Sequence, residues 1–454
     1  MITFWRGTNL NMFSLQELQA IVGKYKPEVP AVQEKGHITD TPVVGYESQF
    51  FGRMEELRKL ANSIIRGDHA IIIGAQRTGK SSLMEELKNE GGRLFKEISK
   101  KLENTLFIEI DFQGVGKAAT RDEFEGRFKN GIIKSLTSQY VSCGGDLSGD
   151  FRNKIEHLKF DSSLPQFLHK YMLPFITQEY GFDRIVFFLD EFSELIETIH
   201  NNAKCSTQQS EMVDVELMRF ISSLMKDRDL KGFYVYVLAL RPFYTTYHDR
   251  YDLQILKNIG TPIGLDYFDF DTAEKLIKTP IAGKLDFSDE SVRQIYALSA
   301  GHPWFTSFFC KQLETKLMPT FEKKKRVELG HVTDLTKEMT GNEKSFQYDF
   351  CFSVLEIDFS LEEDERKVGQ QILAIISNIH VKNGQWPSFS AIFEDLSKHR
   401  NVGKELLSDI IANMVRAQIL RENKHPQKAL EYQIRMGILF EKYRNQNLYD
   451  RYFR

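Results

Sequence analysis

The first stretch of sequence that could do chemistry runs from Gly74 to Ser82 and has the spacing Gly-x-x-x-x-Gly-Lys-Ser. Gly74 and Gly79 would let backbone N–H groups curl around a phosphate chain without interference from a side chain. A helix predicted to begin at Lys80 would direct its unpaired N–H groups and positive dipole end at the same anion. Lys80 would reach the β- and γ-phosphates, and the Ser81 hydroxyl would hold Mg²⁺. The candidate nucleotide-binding residues of this loop are Gly74, Ala75, Gln76, Arg77, Thr78, Gly79, Lys80, Ser81 and Ser82.

The residues on either side of the loop favour this interpretation over an ordinary glycine turn. The apolar run from Ile71 to Ile73 predicts a short buried strand before the loop. After it, Leu83 and Leu87 are spaced for one face of a helix that ends at Gly91-Gly92. Strand, loop and helix in this order are the setting in which the motif binds phosphates.

A second candidate site follows the apolar run from Arg184 to Leu189, which ends in Asp190 and Glu191. A continuous apolar run is typical of a central parallel strand, and ligands bind at the carboxyl ends of such strands. We predict that Asp190 completes the Mg²⁺ shell and that Glu191 polarises the attacking water. A strand that ends in Asp-Glu is commonly structural, but its position downstream of a phosphate loop favours the catalytic interpretation.

A further predicted strand, from Phe233 to Leu240, delivers Arg241 at its carboxyl end, and Pro242 ends the strand. A cation at this place could contact the γ-phosphate and report whether it is present. The alternative is a surface arginine in a salt bridge. The predicted catalytic set is therefore Glu191, Lys80 and Arg241.

The composition is that of a globular protein with ample cores, since hydrophobic residues make up 41% of the 454 residues. This length predicts two to four domains. The formal net charge is −3, so no global field steers the chain to nucleic acid or to an anionic membrane. The four cysteines are scattered without a Cys-x-x-Cys pair. Their spacing argues against a zinc knuckle or a disulfide framework and favours a reducing compartment.

The termini and hydropathy predict a cytoplasmic protein with no membrane contact. No apolar stretch approaches the about 20 residues that span a bilayer. The N-terminus, Met1 to Arg6, has no apolar run followed by a small-residue cleavage site. Residues 1–46 are predicted to form an N-terminal arm, in which a capping box from Ser14 to Glu17 begins a short helix. A strap packed on its own domain is favoured over a docking segment for a partner.

Five strand-like segments alternate with helices along the first part of the chain. The last of them is expected near Ile263 to Tyr267, and a long helix is expected from Leu164 to Glu179. This alternation predicts a parallel, doubly wound α/β sheet.

Further motifs occur in the order of a known family. Phe51-Gly52-Arg53 precedes the phosphate loop, Asp190-Glu191 and Arg241 follow it, and Gly301-His302-Pro303 lies downstream in a helical region. Together they resemble the signal-transduction ATPases with numerous domains (STAND), a branch of the AAA+ P-loop ATPases. This branch is related to the origin-recognition ATPases and to the nucleotide switches of apoptotic and plant immune receptors. The resemblance covers roughly residues 47 to 445. The phosphate loop and Asp190-Glu191 are common to the superfamily, whereas the Gly-Arg and Gly-x-Pro motifs point to this branch.

The resemblance implies a P-loop NTPase core with a helical lid and a C-terminal winged-helix domain, and ATP with Mg²⁺ as cofactors. The implied domains are the arm (1–46), the ATPase core (47–269), the lid (270–345) and the winged-helix domain (346–454). The implied nucleotide-binding residues outside the loop are Phe51, Gly52 and Arg53 near the adenine, and Pro303, which contacts the base from the lid. Arg241 would be the sensor-1 arginine, on a strand between the phosphate-loop strand and the Asp190 strand.

Two features depart from the family pattern. The C-terminal histidine motif of the eukaryotic immune switches is absent, and Tyr432 to Gly437 occupies the comparable stretch. No arginine finger can be assigned either, because the candidates Arg219 and Arg228 are equally well explained as solvated helix charges. Hydrolysis in the family is typically slow, and the nucleotide controls the arrangement of the lid and winged helix and often oligomerisation.

The C-terminal third predicts three helices and a hairpin, which together form a winged helix. The third helix carries Lys404 and Arg416 against Glu405 and Asp409, whereas a major-groove reader normally presents several uncompensated basic residues. A switch or interaction domain is therefore favoured over DNA binding. The basic run from Glu322 to Arg326 before it is predicted to be a solvated linker rather than a phosphate contact.

The favoured hypothesis is an ATP-dependent molecular switch that engages a separate protein partner, with a role in prokaryotic defence or signalling by resemblance only. The alternative is a DNA-associated AAA+ ATPase of the origin-recognition or transposition-regulator type. A non-enzymatic nucleotide scaffold ranks third, since Glu191 argues for retained hydrolysis.

Overall fold

The computed structural model describes residues 50–88, 102, 104–115, 120–142, 163–173, 182–198, 219–227, 230, 232–242, 260–279, 285–317, 325–341, 352, 359–424 and 429–453. The predicted N-terminal arm lies outside these residues. The predicted boundary between core and lid falls at the first residue of a helix, Phe270, whereas the boundary before the winged-helix domain lies outside the described residues. The domain limits themselves stay predictions.

Five parallel strands form the central sheet in the order β2-β3-β4-β1-β5. Their bounds are β1 His69–Gly74, β2 Thr105–Asp111, β3 Arg184–Asp190, β4 Tyr234–Leu240 and β5 Gly260–Leu265. The strand before Arg241 thus lies between the phosphate-loop strand and the Asp190 strand, as the resemblance implies. Because all five strands run in the same direction, their carboxyl ends meet at one edge of the sheet. The last strand begins at Gly260 rather than near Ile263, where it was expected.

Helices pack against the sheet after most of its strands. Their bounds are α1 Met54–Arg66, α2 Lys80–Lys88, α3 Phe112–Val115, α4 Arg121–Ser142 and α5 Leu164–Phe167. Helix α1 begins after Arg53, which has a left-handed φ of 62°, and ends at Gly67, whose N–H donates to the carbonyl of Ile64. A glycine with positive φ at this place is the usual way to end a helix.

The single helix predicted from Leu164 to Glu179 is interrupted in the structure. Helix α5 passes directly into a π-helical turn, Leu168–Met172, and residues 174–181 lie outside the described part of the chain. The Tyr234 hydroxyl donates to the carbonyl oxygen of Leu168 at 2.8 Å. The same carbonyl also accepts from the Leu173 N–H, five residues on, which is the hydrogen bond of a π-turn.

Apolar clusters cover both faces of the sheet, which explains the continuous apolar runs in its strands. Along β3, Phe187 joins a cluster that includes residues of α4, whereas Val186 and Phe188 join a cluster with residues of α1 and α2. Alternate residues of β1 divide in the same way, Ile71 with the first cluster and Ile72 with the second. A parallel sheet with helices on both faces is the predicted doubly wound architecture.

The region predicted to be the lid, called the lid below, contains four helices and two short strands among its described residues. Their bounds are α6 Phe270–Lys278, β6 Leu285–Phe287, α7 Asp289–Ser299, α8 Pro303–Leu317, β7 Lys325–Val327 and α9 Leu329–Thr340. Side-chain caps start two of these helices, because Asp269 accepts from the Thr272 N–H and Ser288 from the Ser291 N–H. The solvated linker predicted over the basic run is wrong at its end, since Lys325 and Arg326 belong to β7 and pair in parallel with β6.

The C-terminal unit contains five helices and one antiparallel hairpin among its described residues. Their bounds are α10 Glu363–Asn383, α11 Phe389–Ser397, α12 Lys404–Arg416, β8 Leu420–Asn423, β9 Glu431–Ile434, α13 Gly437–Asn445 and α14 Leu448–Phe453. The first three helices and the hairpin match the elements predicted for a winged helix, and a bridge from Ser388 to Glu431 extends the hairpin. Helices α13 and α14 are not among the predicted elements.

One apolar cluster runs without a break through the lid and the C-terminal unit. It contains Phe305 and Ile295 of the lid together with Ile372 and Leu439 of the C-terminal unit. The Asn445 amide also donates to the buried hydroxyl of Thr340 at 2.8 Å across this contact. The lid and the C-terminal unit are therefore packed as one body, apart from the two clusters of the sheet.

Candidate functional site

The predicted phosphate loop lies at the carboxyl edge of the sheet, between β1 and α2. The Lys80 ammonium is buried and donates to the carbonyl oxygens of Gly74 and Ala75, each at 3.0 Å. The Thr78 hydroxyl donates to the Ala75 carbonyl at 2.8 Å and so closes the loop. A side chain at Gly74 would place its Cβ 2.5 Å from the Thr78 hydroxyl oxygen, and Gly79 has a φ of 95°. Both glycines are therefore needed for this loop conformation.

The structure brings the predicted magnesium ligands together across the chain. The Ser81 Oγ donates to Asp190 Oδ2 at 2.5 Å, although the two residues lie on α2 and at the end of β3. Burial raises the pKa of the Asp190 carboxyl, and the Ser81 hydroxyl opposes this shift. A bound cation would stabilise the buried carboxylate, and oxygen donors are the ligands that Mg²⁺ prefers. This pair therefore fits the expected ion.

Glu191 and Arg241 meet at the same edge. Glu191 has a left-handed φ of 50°, and its backbone N–H donates to Asp190 Oδ1 at 2.9 Å. Its Oε2 is 3.6 Å from Arg241 Nη2 and makes no hydrogen bond with the described residues. A strained backbone at this residue is of the kind found at functional sites. The salt-bridge alternative for Arg241 also has direct support, because Glu194 and Glu197 bind its guanidinium.

The Phe51-Gly52-Arg53 segment connects the loop to the start of the lid. Arg53 Nη2 donates to the carbonyl oxygens of Asp266 and Thr78, and the guanidinium lies 4.7 Å from the Phe268 ring centroid. Burial lowers the pKa of Arg53, while the nearby carboxylate of Glu56 opposes the shift. Gly52 has a φ of 62° and packs against Phe268, and Phe51 is half-buried beside it.

The predicted Gly-x-Pro motif of the lid faces the phosphate loop from a tight turn between α7 and α8, in the helical region where it was expected. Gly301 has a φ of 78°, and a Cβ there would lie 2.1 Å from the Phe268 carbonyl oxygen, so only glycine fits. The next residue, His302, is buried, hydrogen-bonds the Gln76 backbone and packs on the Tyr267 ring. Burial lowers the pKa of His302 to about 3, which keeps the ring neutral at physiological pH. Pro303 then begins α8 and is half-buried.

Several contacts at this interface could not be predicted from the sequence, although two of the residues involved belong to the predicted loop. The Arg77 guanidinium lies 4.5 Å from the Trp304 ring centroid, and Ala75 of the loop belongs to the apolar cluster of the lid. Arg435, which follows the hairpin, donates to Asp266 Oδ1 at 2.7 Å and lies 4.2 Å from the centroid of the neighbouring Tyr267 ring. The departure from the family's histidine motif at this stretch was the one available hint.

The remaining candidates are placed as follows. Ser82 is half-buried in the first turn of α2. Arg219 is exposed, and Arg228 lies outside the described residues, so the structure assigns no arginine finger.

Within the described ranges, no group of three or more His, Cys, Asp and Glu side chains could hold a metal ion. None of the helices described here has the length and apolar character to cross a membrane.

Comparison with solved structures identifies the fold. A Walker-type ATPase of Pyrococcus abyssi is 17% identical with a TM-score of 0.58, over 89% of this chain and 99% of that one. The Aeropyrum pernix ORC2 protein, solved in ADPNP–ADP complexes, is 11% identical with a TM-score of 0.51, over 90% of this chain and 98% of that one. No protein-family model and no curated protein sequence matches the chain. The sheet with its flanking helices therefore has the fold of a P-loop NTPase core, and both likenesses cover most of this chain.

Proposed function

We propose that the protein is an ATP-binding and slowly ATP-hydrolysing molecular switch of the STAND type. The observation that carries this proposal is the contact of Ser81 with Asp190, 2.5 Å apart at the edge where the phosphate loop begins. Loop, cation ligands and the carboxylate of Glu191 come from separate parts of the chain. Their convergence is what a nucleotide hydrolase needs.

Each group has a role in this proposal. Lys80 and the N–H groups of the loop bind the phosphates, and Ser81 and Asp190 hold Mg²⁺, which would neutralise charge on the β- and γ-phosphates. Glu191 takes the proton from a water whose oxygen bonds to the γ-phosphorus, while the bond to the ADP oxygen breaks. Arg241 contacts the γ-phosphate. Phe51, Arg53 and Pro303 would border the adenine, an assignment that rests on the resemblance.

The contact between the loop and the lid supports a switch. Gln76 and Arg77 touch His302 and Trp304, so a nucleotide seated on the loop bears directly on the lid. Because the lid shares one apolar core with the C-terminal unit, both would shift together when the nucleotide changes. The surfaces that such a shift exposes would engage a separate protein partner or a second copy of the chain.

The alternative function, a DNA-associated AAA+ ATPase, would use the same C-terminal unit on duplex DNA. The fold shared with the ORC2 protein favours keeping this candidate. The charges of α12 argue against it, because exposed Lys404 and Arg416 are balanced by exposed Glu405 and Asp409. Phosphate binding needs an excess of basic side chains.

The test uses two variants of the full chain with a matched control. Lys80→Ala should abolish nucleotide binding in calorimetry, and Glu191→Gln should bind ATP while hydrolysis falls by about a hundredfold or more. Glu314→Gln is the control, since that carboxylate is similarly shielded and pairs with Lys311 in the lid. Hydrolysis by Glu191→Gln at the wild-type rate would disprove the assignment of the general base.

The mass of Glu191→Gln protein with ATP and Mg²⁺, with and without duplex DNA, separates the two functions. Assembly with ATP alone supports the switch and directs the search to protein partners. Assembly only on DNA, with a steep salt dependence, supports the alternative. A wild-type protein that binds neither ATP nor ADP would refute both.

A further inference from the structure

Three carboxylates surround the single guanidinium of Arg241. Glu197 Oε1 accepts from Nη1 at 2.9 Å, and Glu194 Oε1 accepts from Nη2 at 3.2 Å. The third carboxylate, Glu191, stays 3.6 Å from Nη2, beyond hydrogen-bonding distance. All four side chains are three-quarters or more shielded from solvent, with exposed fractions of 16% for Arg241 and at most 25% for the others. Solvent therefore screens these interactions only in part.

The backbone fixes the carboxylates relative to the end of β4. The Arg241 N–H donates to Ser193 Oγ at 2.9 Å, and the Phe192 N–H donates to the Ala239 carbonyl at 3.1 Å. Residues 193–198 are helical, so Glu194 and Glu197 lie on one face with a spacing of i and i+3. This face is held against the strand that delivers the arginine.

We propose that Glu194 and Glu197 are positioning residues that hold the Arg241 guanidinium at the end of β4 and keep it from closing on Glu191. An arginine paired with a carboxylate in two hydrogen bonds forms one of the strongest side-chain contacts. Such a pair would occupy the carboxylate oxygens of Glu191, which in the proposed function must face the attacking water. By accepting from both terminal nitrogens, Glu194 and Glu197 leave Glu191 Oε2 without a hydrogen bond among the described residues, as the structure has it.

This inference rests on the proposed function, because it assigns Glu191 the role of base. Its distinguishing feature is that Glu194 and Glu197 act only through Arg241. Substitutions of residues that act through a common partner are not additive, whereas a general structural role would weaken every variant alike. The isosteric change of glutamate to glutamine removes the charge and keeps the packing.

The experiment is a cycle of four proteins, the wild type, Glu194→Gln/Glu197→Gln, Arg241→Gln and the combined variant. The two glutamine substitutions should lower kcat for ATP hydrolysis by about tenfold while the ADP affinity changes by less than about twofold. On the Arg241→Gln background the same substitutions should change kcat by less than about twofold. An equal loss on both backgrounds, or no loss on the wild-type background, would overturn the proposal.

A second measurement is independent of catalysis. Urea-unfolding midpoints of the same four proteins should show that Arg241→Gln and the paired glutamine substitutions are coupled, and additive midpoints would overturn the proposal. Glu197→Gln alone replaces the double variant if the latter does not fold, with the same criteria. The control Glu314→Gln should keep kcat within about twofold of the wild type. A wild-type protein without hydrolysis would refute the proposed function, and the unfolding cycle would still decide whether the carboxylates hold Arg241.

Discussion

The guanidinium of Arg77 in the phosphate loop lies over the indole ring of Trp304 in the lid, 4.5 Å from the ring centroid. Trp304 is itself stacked on Phe308 of the same helix, with ring centroids 5.3 Å apart, and is 9% exposed. A cation over a shielded tryptophan face is attracted more strongly than one at an exposed site. The contact therefore holds the lid on the loop that we propose binds the phosphates.

Replacing Trp304 with leucine should loosen this closure. The variant keeps an apolar side chain in the lid but removes the face on which Arg77 rests, so we expect bound ADP to dissociate about tenfold faster. Stopped-flow release of a fluorescent ADP analogue measures this rate. Trp386→Leu is the matched control, because Trp386 stacks on His380 within the C-terminal unit. Equal release rates in the two variants would contradict a role for the Arg77–Trp304 contact.

Arg435 should provide a second stabilising contact, which joins the C-terminal unit to the connection between β5 and α6. Its ion pair with Asp266 is solvent-exposed on the aspartate side and weak by itself, and the contact with the Tyr267 ring adds to it. Arg435→Gln should therefore speed ADP release by about threefold and increase amide hydrogen exchange in residues 266–269. Arg421→Gln, an exposed change on the hairpin that precedes Arg435, is expected to leave both unchanged. Unaltered exchange in Arg435→Gln would show that the contact does not hold the unit.

The buried His302 predicts a loss of stability in acid. Burial lowers the pKa of His302 to about 3 in the folded protein, whereas an unfolded histidine titrates near 6.5. Between these pH values His302 is protonated in the unfolded chain and neutral in the folded protein. The free energy of unfolding therefore falls as the pH drops from about 6.5 towards 3. At pH 5 this amounts to about 2 kcal/mol, since each pH unit contributes about 1.4 kcal/mol.

His302→Gln should lack this pH dependence. Urea unfolding of the wild type and the variant at pH 7.5 and pH 5 gives the difference in their free energies of unfolding at each pH. A loss of packing in the variant contributes equally at both pH values, so it does not affect the change in this difference. The wild type should lose about 2 kcal/mol more than the variant between the two pH values. A constant difference would mean that His302 becomes protonated in the folded protein.

The sequence predicts the parts of the fold in which the site residues are neighbours in the chain. The Gly-x-x-x-x-Gly-Lys-Ser loop and the Asp190-Glu191 pair are contiguous motifs, and a parallel sheet brings them to one edge whatever the loops between them do. Contacts such as Arg435 with Asp266 join residues 169 positions apart and depend on how two bodies pack. The strand β7 was missed because three residues are too few to show a period of two.

The packing of the C-terminal unit on the lid can be tested at Gly437, the first residue of α13. A Cβ there would lie 2.6 Å from the carbonyl oxygen of Ala297 on α7, a backbone atom that cannot turn aside. Gly437→Ala should therefore lower the free energy of unfolding by about 1–3 kcal/mol. Gly330 is the matched control, because it lies in the first turn of α9 with no atom within 4 Å of its Cβ position. Gly330→Ala should raise the free energy of unfolding by about 0.5–1 kcal/mol through helix propensity.

The two alanine variants give opposite signs only if α13 is pressed against α7 in solution. Urea unfolding monitored by tryptophan fluorescence measures the stability of both variants. The short distance between Gly437 and Ala297 also predicts a structural effect in Gly437→Ala that Gly330→Ala would not share. A displacement of α13 should increase amide hydrogen exchange in α7 and at Thr340 and Asn445, which are hydrogen-bonded to each other. The reason is that the two units share one apolar core. If Gly437→Ala instead gains stability as Gly330→Ala does, the two units are not packed as one body, and the lid would be free to follow the nucleotide without the C-terminal unit.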